Sequence, residues 1–112
     1  MLLSDAIALG RHLMPKENWT NSRYYGVAGT LGTRTRKLSD CEGCAIGMGL
    51  TAVGAKSWSE VGYHWPWLGD DDKGKHNRST ITKLFWRVLE GNITLDQLID
   101  EVRAMEPAEP TV

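Results

Sequence analysis

Cys41 and Cys44 are the side chains whose type and spacing come closest to chemistry in this chain. They sit three positions apart behind Ser39, and Ser39 with Glu42 fits a capping box, so the pair falls at the start of a helix. Free amide donors and the helix dipole favour a thiolate there, which is the setting of a redox pair. Two features weigh against that chemistry. A thioredoxin-like pair follows a strand, whereas helical patterns dominate this chain, and Glu42 between the thiols raises their pKa values rather than lowering them. Zinc needs four ligands, usually with a second close pair, and His12, His64 and His76 are far apart in sequence. The plainer reading of Cys41 and Cys44 is two small apolar side chains in a core helix.

Three other clusters carry chemical potential. Trp58, Tyr63, His64, Trp65 and Trp67 concentrate rings in one short segment that also holds Glu60. They could line a pocket or form a partner contact. The competing reading has most of these rings folded over a glycine-rich helix, with one or two left outside. Arg34, Arg36 and Lys37, with Arg23 upstream and Tyr24 and Tyr25 nearby, are the strongest candidates for phosphate or nucleic acid. At a net charge of -1 a solvated hairpin edge outweighs that reading. Asp70, Asp71 and Asp72 could attract a cation, but the calcium-loop pattern fails at Lys75 and Ile81, which leaves a charged surface loop. The sequence contains no phosphate-binding glycine loop, nucleophile elbow or metalloprotease pair.

Four helices are expected to position these groups. The first covers residues 3–14, with Leu3, Ile7 and Met14 on its apolar stripe and Pro15 as its stop. The second begins at Ser39 and ends at Gly54. Thr51 is its one polar side chain from Gly43 onward, and Gly43, Gly47 and Gly49 suit close approach by neighbours. The third covers residues 79–90 on the repeat Ile81, Leu84, Phe85, Val88 and Leu89, with Gly91 ending it. The fourth is capped by Thr94 and Gln97 and carries Leu95, Leu98, Ile99, Val102 and Met105 on its apolar face. The short link between the last two predicts a helical hairpin. It does not fit a helix-turn-helix, because Gln97 and Arg87 stand where apolar and small residues are wanted. Residues 24–38 read as an irregular β-hairpin, residues 58–68 as an aromatic loop and residues 69–78 as a charged loop.

The chain has 112 residues with 41% hydrophobic and 24% charged side chains, enough for one core. The expected fold is mainly α: four helices packed around a buried glycine-rich helix, forming one domain over residues 1–106 and a frayed tail at 107–112. Residues 1–14 lack the basic start of a secretory leader, and no apolar run has the length of a membrane span, so a cytoplasmic protein is expected.

Ser4-Asp5-Ala6-Ile7-Ala8-Leu9-Gly10 opens the chain. Cys44-Ala45-Ile46-Gly47-Met48-Gly49-Leu50, Trp65-Pro66-Trp67-Leu68 and a capped closing helix follow. Together these segments resemble small bacterial and phage-borne proteins carried by mobile elements, including integron gene cassettes. Cys41, a longer hairpin and Met48-Gly49 in place of two alanines set this chain apart from that pattern. The resemblance implies a shared helical fold. It brings no activity and no functional residue with it.

The expected function is therefore a small non-enzymatic binding module without a cofactor. Its expected partner is a protein or a second copy of the chain, ahead of nucleic acid. The alternative is a small metal- or thiol-dependent enzyme using Cys41, Cys44 and a histidine.

Overall fold

The computed structural model describes residues 1–13, 16, 19, 45–55 and 58–107. The protein is mainly helical. In chain order the helices are α1 (Leu3–Gly10), α2 (Ala45–Ala52), the single turn α3 (Val61–His64), α4 (Asp72–Leu89) and α5 (Leu95–Met105). The hairpin expected at residues 24–38, the cap expected at Ser39, both cysteines, and Arg23, Arg34, Arg36 and Lys37 lie outside the described residues.

α1 and α2 pack at very close range. A Cβ placed on Gly10 would overlap the Met48 carbonyl, 2.5 Å from its carbon. Only hydrogen fits between the two backbones at that point. Ala45, Ile46, Gly47, Met48, Gly49, Leu50 and Thr51 are all buried. Thr51 solves its own burial by donating its hydroxyl to the Gly47 carbonyl one turn back, at 2.9 Å. The end of α2 is a Schellman turn: the Ala55 N–H donates to Leu50 O and the Gly54 N–H to Thr51 O, with Gly54 at φ +71°.

α1 is shorter than its apolar stripe suggests. After Gly10 the His12 and Leu13 amides bond three residues back, to Leu9 and Gly10, so the chain tightens into a turn. Its start lacks a local cap, because Leu2 occupies that position. The far end of the chain supplies the missing acceptor. The Glu106 carboxylate receives the Ser4 N–H at 3.1 Å and the Ser4 hydroxyl as well. Negative charge at that terminus also suits the helix dipole. Arg11 pairs with Asp96, and Arg103 pairs with Asp5 at 3.2 Å, so α1 and α5 run in opposite directions along a shared seam.

The segment 58–68 is not a loop but three short helical pieces: a 3-10 turn at Trp58–Glu60, then α3, then a second 3-10 turn at Pro66–Leu68. A larger difference follows. Residues 69–78, expected to be a charged loop, contain the cap and first two turns of α4. The Asp71 side chain accepts the Gly74 N–H at 2.7 Å and caps the helix. A Cβ on Gly74 would fall 2.7 Å from the Gly69 carbonyl carbon, so the first turn of α4 sits directly on the preceding chain. Asn77 donates to Trp67 O at 2.9 Å, and Arg78 to Leu68 O at 3.0 Å. α4 ends in a second Schellman turn at Gly91 (φ +79°), with Asn92 N–H on Arg87 O and Gly91 N–H on Val88 O. The capping box of α5 forms as its residues predict: the Gln97 N–H reaches Thr94 Oγ1 at 3.1 Å, and Gln97 Oε1 accepts the Thr94 N–H at 2.8 Å.

Leu3 and Ile7 from α1, Ile46, Met48 and Leu50 from α2, Ile81 and Phe85 from α4, and Leu98 and Val102 from α5 meet in one core. Each such side chain contributes about 1.5–3 kcal/mol when fully buried. None of the helices of the described residues is long and apolar enough to cross a membrane.

Candidate functional site

The aromatic segment divides between inside and outside. Trp65 is 2% exposed. Its ring edge fills the recess at Gly49, lying 3.0 Å from where a Cβ would stand, and Leu3 fills the other side. Its indole N–H donates to the Met1 carbonyl at 3.1 Å. Trp65 thus belongs to the interior and not to a contact surface. Trp67 is half-buried against the core. Tyr63 projects outward at 81% exposure and meets the His64 ring edge-on, at 5.1 Å between centroids. His64 Nε2 lies 3.6 Å from Glu60 Oε1, one helical turn away. These are neighbours on a short helical piece, and their geometry organises no nucleophile. Trp58 opens the first of the three pieces.

The metal and redox reading rests on Cys41 and Cys44, outside the described residues. Among the described residues, no three His, Cys, Asp or Glu side chains converge to hold a metal ion.

The most distinctive surface lies on α4. Between Asp72 and Glu90 the sequence holds Lys73, Lys75, Arg78, Lys83 and Arg87 and not one aspartate or glutamate. Arg78 is committed to Leu68 O and to Asp70, at 3.0 and 3.3 Å. Lys73, Lys75, Lys83 and Arg87 are exposed, as are His76 and Ser79. Trp86 shares this outer side, at 54% exposure, with Leu89 beside it at 39%. The reason lies in the helical period. Ile81 and Phe85 point to the core with Leu84 and Val88 beside them. Positions 75, 79, 83, 86 and 87 fall on the opposite side. The face therefore combines hydrogen-bond donors, positive charge and one large indole.

The sequence held a readable signal for it, namely an acid-free interval bracketed by Asp72 and Glu90. Dividing that interval into a loop and a helix hid the continuous face. The chain matches no family model, no curated protein and no solved structure.

Proposed function

We propose that this chain is a small non-enzymatic binding module, of the kind that bacterial mobile elements carry, and that its contact surface is the outer face of α4. The observation that carries the reading is Trp86. It stands more than half exposed on a helix held in place by Ile81 and Phe85 on the other side. Tryptophan and arginine are the side chains that most often dominate binding energy at contact surfaces. Here Trp86 adjoins Arg87 in sequence and stands one turn from Lys83 and Leu89.

The alternative enzyme would need reactive thiols or a bound metal, and one experiment on the native protein decides between the two. Metal content and thiol reactivity near neutral pH are measured together. The binding-module reading expects thiols no faster than a free cysteine and no stoichiometric metal. One zinc per chain, or rapid thiolate reactivity, overturns it.

A further inference from the structure

We propose that the outer face of α4 binds double-stranded DNA, with Lys75, Lys83 and Arg87 on the phosphates and Trp86 against the duplex. This rests on the binding-module reading and names its partner.

Charge carries the first step. The whole chain has a formal charge of -1, yet residues 73–89 carry five cations and no anion. Among the described residues none of Lys73, Lys75, Lys83 and Arg87 enters an ion pair. Lys83 and Arg87 are four apart on one face, where like charges repel and weaken a helix. A polyanion relieves that repulsion and releases its own counterions on binding.

Shape carries the second. From Lys75 to Arg87 the helix advances about 18 Å. The major groove of B-form DNA is about 12 Å wide and admits an α-helix, whereas the deep, narrow groove of duplex RNA does not. A single strand is held by several large stacking rings in succession, and Trp86 is the one exposed tryptophan, tyrosine or phenylalanine on this helix. Ser79, midway between Lys75 and Lys83, adds a short hydroxyl donor of the kind that contacts phosphates.

The neighbouring helix sets the direction of approach. The exposed side of α5 holds Asp100 and Glu101, neither in an ion pair among the described residues, beside Asp96, which pairs with Arg11. It would be repelled by phosphate, so α4 approaches the duplex alone and not as part of a helix-turn-helix. That acidic side also makes a second copy of the chain the main competitor for the basic face of α4.

The test is fluorescence anisotropy of an end-labelled random-sequence duplex titrated with the full chain over a salt series. Wild type is expected to bind at low salt with a log–log slope of about -2.7, from three phosphate contacts at about -0.9 each. Lys83→Gln with Arg87→Gln should weaken binding by about tenfold or more and reduce the slope by about 2. Lys83→Arg should keep it, circular dichroism should match wild type in each variant, and no variant should melt below wild type. Absence of duplex binding at low salt overturns the proposal. So does an unchanged affinity in the double variant, or equal affinity for a single strand of the same length. A dimer in sedimentation that the double variant dissociates, without duplex binding, assigns the face to a second copy and also overturns it. Any of these results in a metal-free protein with slow thiols sinks the DNA assignment alone and leaves the binding-module reading standing.

Discussion

α2 and α4 are both helices of one core, and they obey opposite constraints. Every residue of α2 from Ala45 to Thr51 is buried, whereas α4 buries only Gly74, Ile81 and Phe85 along eighteen residues. In α2 the surroundings dictate the side chains: Gly49 is bare where Leu3 and Trp65 approach, and Ala45, Ile46, Met48 and Leu50 are apolar where the core encloses them. In α4 a narrow inner stripe holds the helix, and the outer face is released from packing. Substitution on such a face costs little stability. Its composition is therefore open to selection by contacts outside the fold, and here it is basic, acid-free and marked by Trp86.

The comparison breaks first where an added methyl group tests the interior. Gly10→Ala places a Cβ on the Met48 carbonyl, backbone against backbone. Neither side can rotate away, so α1 and α2 must separate, and they would pull on Leu3 and Ile7 as they do. The expected cost is about 3 kcal/mol, at the upper end of overpacking, and a melting midpoint roughly 10 °C or more lower. Thermal or urea unfolding measures it. A midpoint equal to wild type would mean the two helices are not in contact at Gly10.

The same methyl group added to α4 sharpens the contrast. Gly74→Ala meets the Gly69 carbonyl at a similar distance, but the obstacle there is surface chain beside the exposed Asp70 and Asp71. That chain can yield, and alanine favours helix over glycine by about 0.8–1.0 kcal/mol. The net loss should be about 1–2 kcal/mol, below that of Gly10→Ala in the same unfolding assay. Equal losses at both sites would erase the distinction between a rigid interior and an adaptable rim.

How much of this was legible in the sequence follows the range of the interactions. The Thr94–Gln97 box and the Gly91 stop use partners within a few residues, and both form as read. Among the described residues one ring meets one glycine of α2, Trp65 at Gly49, and which ring fills that recess depends on tertiary placement that the sequence does not carry. The first two turns of α4 left no apolar periodicity, since Gly74 is their only buried residue, and Asp71, Trp67 and Leu68 anchor them through hydrogen bonds. The cap of α1 was beyond reach, because Glu106 and Ser4 stand 102 positions apart. For the candidate site, residue types alone singled out the rings and the basic run at residues 34–37. The face on α4 needed the helix to begin at Asp72 before its charges could be seen as one surface.

The smallest expected effect is the most discriminating for function. Trp86→Ala removes a large ring from a site that is 54% exposed. A ring that served packing would cost about 3–5 kcal/mol on truncation, as at a buried site. A ring held out for a partner should cost within about 0.5 kcal/mol in unfolding of the isolated protein. Lys83→Gln, on the same face, should be equally silent. A loss of several kcal/mol at Trp86 would draw that residue into the core, and α4 would then resemble α2. A silent substitution keeps the outer face free of structural duty, so that any loss of binding in the same variant reports contact and not folding.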